Sequence, residues 1–156
     1  MRFIADGMLG KLTRWLRMLG QDVKYSTESE DAELIVLAKK ERRTLLTRDS
    51  ELYQRATAKG IDVFYVKGLA EAEKLAELAE RFDFPLVMDL SSSRCPRCNA
   101  EIRLIPKDTV KDEVEKTTFN YYDKFWKCVK CEHVYWQGAH WEGICATLAE
   151  AKKIKG

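Results

Sequence analysis

The sequence predicts an α/β protein in two parts: a parallel sheet flanked by helices over residues 1–90, and a small metal-binding module over residues 91–156. Short apolar runs alternate with segments of helical periodicity in the first part, an order typical of a parallel sheet with helices on both faces. The serine run 91–93 has the composition of a linker. Two Cys-x-x-Cys pairs follow it, and this spacing is typical of a tetrahedral metal site.

The first two strands and helices are predicted from the spacing of apolar residues and from residues that begin or end helices. The apolar run 2–6 indicates a strand, and apolar residues recur at helical spacing over 8–19 until Gly20 ends the helix. Residues 22–25 indicate a second short strand. A second helix is expected to open at Asp31, whose carboxylate suits an N-cap.

The same alternation continues to the end of the first part. Residues 44–47 indicate a third strand, and a helix capped by Ser50 is expected to stop at Gly60. A fourth strand is predicted over 62–66, and a helix with one apolar face over 70–82. The four strands and four helices together predict the α/β class.

The cysteine pairs predict a structural zinc site. Each Cys-x-x-Cys turn directs two thiolates at one point, and two turns complete the four-sulfur shell that Zn²⁺ takes in structural sites; the four residues are Cys95, Cys98, Cys128 and Cys131. Two disulfides are the alternative, and they would require an oxidising compartment. With four sulfurs present, His140 is expected to be a structural hydrogen-bonding residue and not a ligand.

Composition narrows the class of protein. The chain has 156 residues, 46% hydrophobic and 33% charged, with a formal net charge of +2. These values are typical of a soluble globular protein and do not indicate a uniformly basic nucleic-acid binder. The sequence shows neither a membrane span nor a signal peptide, so a cytoplasmic protein is expected.

Three acids are expected at the working edge of the sheet. Asp6 ends the first strand, Asp49 follows the third, and Asp31 opens the helix after the second. In open α/β sheets this carboxyl edge holds the functional crevice. Because clustered carboxylates repel one another, they require a cation, and Mg²⁺ or Mn²⁺ suits oxygen ligands and phosphate chemistry. Alternatively, Asp31 and Asp49 serve only to begin helices; Glu51 and Asp89 are weak candidates for a fourth acid.

The first helix carries a basic face that could follow an RNA backbone. At about 100° per residue, Lys11, Arg14 and Arg17 lie opposite the apolar residues, which are Met8, Leu12, Trp15, Leu16 and Leu19. Together with Arg48, which precedes Asp49, they are candidate RNA-binding residues. The alternative is that they are ordinary solvated charges.

The second part is rich in aromatic residues interleaved with lysines. Such a set can stack bases and hold phosphates. A small metal module also needs a core, so most of these rings are expected to pack, with one or two left for RNA; the set is Phe119, Tyr121, Tyr122, Phe125, Trp126, Tyr135, Trp136 and Trp141.

These motifs together resemble the Mut-seven C-terminal RNase family, a branch of the PIN-like nucleases with an appended zinc ribbon. The resemblance covers nearly the whole chain. It rests on the segments Asp6–Leu12, Arg14–Arg17 and Leu19–Gly20, the third-strand motif Leu45–Asp49, the first knuckle Arg94–Asn99, and the second knuckle Cys128–Cys131 with Tyr135–His140. The chain departs from the family pattern at Glu132, where glycine is usual, and at Ala139, where serine is common.

The resemblance implies a PIN-like fold with a C-terminal zinc ribbon and metal-dependent cleavage of RNA. The expected activity is an endoribonuclease acting on single-stranded RNA, with Asp6, Asp31 and Asp49 holding a catalytic Mg²⁺ or Mn²⁺ and zinc in a structural role. RNA is the expected partner, with a ribosome or a protein antitoxin as further options. The main alternative is a non-catalytic RNA- or ribosome-binding adaptor on a PIN-like scaffold. A phosphoacceptor receiver domain is disfavoured, because Gly7 stands where its second acid would be needed.

Overall fold

The computed structural model describes residues 1–156. Short 3₁₀ helices lie at Gly7–Leu9 and Lys107–Val110. The remaining elements, in chain order, are β1 (Arg2–Ala5), α1 (Gly10–Met18), β2 (Asp22–Tyr25), α2 (Asp31–Glu41), β3 (Thr44–Thr47), α3 (Ser50–Ala58), β4 (Val63–Tyr65), α4 (Glu71–Phe82), β5 (Ile102–Ile105), α5 (Lys116–Tyr121), β6 (Phe125–Cys128), β7 (Val134–Tyr135) and α6 (Trp141–Lys155).

The first four strands form one parallel sheet in the order β2-β1-β3-β4. Successive side chains of a strand point to opposite faces, and both faces are covered. Phe3 and Leu46 pack with α1, α4 and α6 on one face, whereas Ile4 and Leu45 pack with α2 and α3 on the other. The predicted α/β class, with helices on both sides of a parallel sheet, is confirmed.

Two helices begin one residue away from their expected caps. The N-cap of α3 is Asp49, whose carboxylate accepts hydrogen bonds from the amides of Glu51 and Leu52, so the prediction of Ser50 as the cap was wrong. Asp31 is the first residue within α2, and Glu30 precedes it as the cap. The carboxylate of Asp31 is therefore not used in capping and remains available to other groups.

The C-terminal part contains a three-stranded antiparallel sheet in the order β5-β6-β7. After it the chain returns to the first part: α6 packs against α4, and Leu148 and Ala151 are buried in the same apolar cluster as Leu75 and Phe3. The division of the chain at residue 90 stays a prediction, with the last helix covering the first core.

The first cysteine knuckle is fastened to the edge of the parallel sheet. Asn99, at a left-handed φ of +73°, donates to Asp22 Oδ1 over 2.7 Å and accepts from the Val23 amide over 3.1 Å. The Ser93 hydroxyl donates to the Met18 carbonyl at the end of α1 over 2.5 Å. Because β2 is an edge strand, Asn99 satisfies backbone and side-chain groups that the sheet leaves unpaired.

No helix in the structure combines the length and apolar composition needed to cross a membrane.

Candidate functional site

The four cysteines of the two knuckles form a cluster that could hold a metal ion. Their sulfur atoms all lie within 4.8 Å of one another, and the Cys95–Cys131 and Cys98–Cys128 sulfur pairs are 3.6 and 3.4 Å apart. A tetrahedron with Zn–S bonds of about 2.3 Å has sulfur separations of about 3.8 Å, so the cluster has the right size for zinc. All five cysteines of the chain are free thiols, which contradicts the disulfide alternative.

The thiols differ in how their surroundings treat the thiolate form. Burial raises the pKa of Cys98 to about 12. Although burial opposes it, hydrogen bonds from the Cys131 and Lys130 amides lower the pKa of Cys128 to about 7. Burial also raises the pKa of the Tyr135 hydroxyl, which lies 3.0 Å from Cys95 Sγ and can donate to it. Such outer contacts orient metal ligands.

Two of the predicted acids are joined by a buried hydroxyl. Asp6 follows β1 and Asp49 follows β3, the neighbouring strand. Thr47 Oγ1 donates to Asp6 Oδ2 over 2.9 Å and accepts from the Asp49 amide over 2.9 Å. Thr47 is fully buried while both aspartates are partly exposed. At the carboxyl edge of the sheet, one buried hydroxyl thus connects the carboxylate of Asp6 with the backbone of Asp49.

The third predicted acid, Asp31, pairs with an arginine of α3. Asp31 Oδ2 is 3.6 Å from Arg55 Nη1, and both side chains are about two-fifths exposed. The three aspartates do not form a group whose carboxylate oxygens converge within 4.8 Å, in contrast to the cysteines. Of the weak candidates for a fourth acid, Glu51 is exposed and Asp89 accepts from the Ser91 amide in the linker.

The predicted RNA-binding residues have different surroundings. Lys11 and Arg14 are exposed on α1 and form no hydrogen bond or ion pair within the chain. Arg17 is 7% exposed and donates to the carbonyls of Val23 and Pro96; burial lowers the pKa of its guanidinium. Arg48 donates to the Gly68 carbonyl. Lys11 and Arg14 are therefore free for a ligand, whereas Arg17 and Arg48 brace the fold.

The aromatic residues of the second part mainly pack. Phe125 and Trp126 are buried, and Phe119, Tyr122 and Trp136 pack against the small cores of this part. Tyr121 is the exception, because 79% of it is exposed.

Thr47, Asn99 and Arg97 had no assigned role at the sequence level. Thr47 offered one signal, a polar residue ending a fully buried strand directly before Arg48 and Asp49. Asn99 follows the first cysteine pair, where a left-handed residue is needed to end the turn. Arg97 offered none, because the contact of Arg97 Nη1 with His133 Nδ1, at 2.8 Å, joins two distant knuckles.

Fold and site together define a class of protein: an α/β domain with acids at the carboxyl ends of adjacent parallel strands, joined to a four-cysteine module consistent with a zinc ribbon. The family model of the Mut7-C RNAse domain matches residues 1–148. The chain belongs to this family, and the resemblance seen in its motifs is confirmed. No curated protein and no solved structure matches it.

Proposed function

We propose that this protein is a metal-dependent ribonuclease that cuts single-stranded RNA internally, at a site built around Asp6 and Asp49. The observation that carries the proposal is the Asp6–Thr47–Asp49 link at the carboxyl edge of the sheet. Membership of an RNAse domain family supports the reaction class.

The donor chemistry of this edge fits a hard divalent cation. Asp6 and Asp49 offer carboxylate oxygens from neighbouring strand ends, and Mg²⁺ is typically held by one or two carboxylates together with waters and substrate phosphates. When bound, Mg²⁺ or Mn²⁺ would offset phosphate charge and lower the pKa of a water nucleophile. The residues of the chain hold the two carboxylates in place: Thr47 fixes one oxygen of Asp6, and the first turn of α3 fixes Asp49.

Asp31 is included in the proposal as an outer acid. Both side chains of its ion pair with Arg55 are solvent-exposed, and ion pairs of this kind contribute about 0–1 kcal/mol to the free energy of unfolding. Releasing Asp31 toward a cation would therefore cost little. Lys11 and Arg14, which have no partner in the chain, are proposed to contact the RNA backbone.

Cleavage of a single-stranded RNA by the purified, zinc-loaded protein with added Mn²⁺ tests the function. Asp6→Asn and Asp49→Asn are expected to reduce the rate at least about 100-fold, since each removes a charge aimed at the cation. Asparagine remains a good N-cap, so both variants should fold. Asp112→Asn, at an exposed residue of the second part, is the matched control and should cut at the wild-type rate. Equal cutting by all four proteins would remove the acids from the mechanism.

A further inference from the structure

A cleft of about 460 Å³ lies between α1 and the first cysteine knuckle. Lys11, Arg14 and Arg17 line it from the helix, Tyr25 lines it from the end of β2, and Arg97 lines it from the knuckle. Both parts of the chain therefore contribute walls to one surface feature.

The cleft is lined by cations, and none of them forms an ion pair with a carboxylate of the chain. Four of its lining residues are cationic and none is acidic. Some basic residues elsewhere are paired, as Lys24 is with Glu41 and Lys127 with Glu113. Unpaired charge of one sign in a concave surface concentrates the field and attracts the opposite charge. The cleft therefore suits an anionic ligand, and its three exposed cations suit phosphate groups.

The position of Arg97 is fixed by contacts from both sides. Arg17 Nη1 donates to the carbonyl of Pro96 over 3.0 Å, which ties the knuckle backbone to α1. Arg97 Nη1 lies 2.8 Å from His133 Nδ1 in the second knuckle. One N–H of a guanidinium with five is used there, so the remaining donors can reach a ligand in the cleft.

One end of the cleft is hydrogen-bonded to the residue that follows Asp6. Tyr25 Oη donates to the Gly7 carbonyl over 2.7 Å, and Gly7 directly follows Asp6. Gly10 permits this approach, since a Cβ there would lie 2.8 Å from Tyr25 Oη. The end of the cleft at Tyr25 is thus bonded to the chain neighbour of Asp6, and the end at Arg97 belongs to the first cysteine knuckle.

We infer that this cleft binds successive phosphates of single-stranded RNA, and that the knuckle contributes Arg97 as an RNA-binding residue. This inference rests on the proposed ribonuclease function and assigns the cysteine module part of the substrate path. Lys11 and Arg14 lie one helical turn apart, about 5–6 Å between their Cβ atoms, which suits neighbouring phosphates of a strand. Pro96 and the ring of Tyr25 are the apolar parts of a lining that is otherwise cationic or small, so the cleft chiefly contacts the RNA backbone.

Binding of a fluorescent oligouridylate, followed by anisotropy without divalent ions over a range of salt, tests the inference. Lys11→Gln, Arg14→Gln and Arg97→Gln are each expected to weaken binding about fivefold to tenfold. Each should also reduce the slope of log affinity against log salt by about 0.7, the value for one phosphate contact on a single strand. Arg97→Lys keeps the charge and should keep the wild-type slope.

Two matched variants control for loss of charge alone. Arg103→Gln removes an exposed arginine from β5, and Lys40→Gln removes an exposed lysine from α2 on the opposite side of the sheet. Both should bind within twofold of wild type. Because Arg97 lies between two cysteines, zinc content and circular dichroism are measured for each variant. An Arg97→Gln protein that is folded, zinc-loaded and indistinguishable from Arg103→Gln would overturn the inference, as would an Arg97→Lys protein that loses the slope.

The outcomes separate this inference from the ribonuclease assignment. If the wild-type protein cuts RNA and Arg97→Gln binds RNA normally, the inference that the cleft binds RNA is wrong and the proposed ribonuclease activity stands. If the wild-type protein cuts no RNA while the three variants bind RNA more weakly and with a smaller salt dependence, the inference about the cleft stands and the proposed ribonuclease activity fails.

Discussion

Replacing Thr47 with valine removes the hydroxyl that links the two acids while nearly preserving the shape of the side chain. The change deletes a hydrogen bond to a carboxylate, worth about 1.5–3 kcal/mol, and a neutral bond from the Asp49 amide, worth about 0.5–1.5 kcal/mol. The added methyl at a fully buried position returns about 0.8 kcal/mol. The free energy of unfolding is therefore expected to fall by about 2–3 kcal/mol.

Thr47→Ser is the matched control, because it keeps the hydroxyl and loses one methyl, at a cost of about 1 kcal/mol. Urea unfolding of the zinc-loaded proteins, followed by circular dichroism, measures both values. A double-mutant cycle with Asp6→Ala isolates the link: the Thr47→Val penalty should shrink by about 1.5 kcal/mol in the Asp6→Ala background. A penalty for valine no larger than that for serine, or an unchanged penalty in the cycle, would refute the reasoning.

The remaining predictions concern the knuckles and their attachment. Asn99→Ala should lower the free energy of unfolding by about 2–4 kcal/mol in urea, because it loses both bonds to β2 and places alanine at positive φ. Glu132→Gly should raise it by about 0.5–1 kcal/mol, since Glu132 has a φ of +64°. Although burial opposes it, hydrogen bonds from Arg43 and Asn99 lower the pKa of Asp22. The contribution of Asp22 to the free energy of unfolding is therefore complete above about pH 4 and is lost as the pH falls below that value. Asp22→Asn should reduce the fall in melting temperature that the wild-type protein shows at acid pH. Removing zinc with a chelator should unfold the cysteine module, seen as loss of its near-ultraviolet dichroism and lower protection of Phe125–Cys128 in hydrogen exchange.

A different result would contradict each of these four predictions. An Asn99→Ala protein as stable as wild type would show that the knuckle is not held by β2, and a destabilised Glu132→Gly protein would show that backbone strain is absent there. An acid limb unchanged by Asp22→Asn would reject its ion pairs as a source of stability. A module that keeps its exchange protection without metal would contradict a structural role for zinc.

Local patterns were sufficient to predict the parallel sheet and the cysteine cluster. Strand periodicity fixes which side chains face each helical layer, as Phe3 and Ile4 illustrate, and the Cys-x-x-Cys turns fix two sulfurs each. Both features depend on spacing within a few residues, which the sequence displays directly.

The surroundings of the basic residues depend on contacts that spacing does not reveal. On a helical wheel Arg17 belongs with Lys11 and Arg14, yet the first knuckle covers that end of α1 and buries it. Met8 was expected on the apolar face, but it is 73% exposed because Gly7–Leu9 form a 3₁₀ turn that changes the angular phase. The Arg97–His133 contact likewise exists only once the two knuckles meet.

The central claim is that Asp6 and Asp49 share a divalent cation. Crystals of the zinc-loaded protein soaked in Mn²⁺, with anomalous diffraction measured on both sides of the manganese edge, test it most directly. A manganese peak is expected within bonding distance of both carboxylates and should be absent from Asp49→Asn crystals treated in the same way. Full occupancy of manganese elsewhere with none between these two side chains would contradict it.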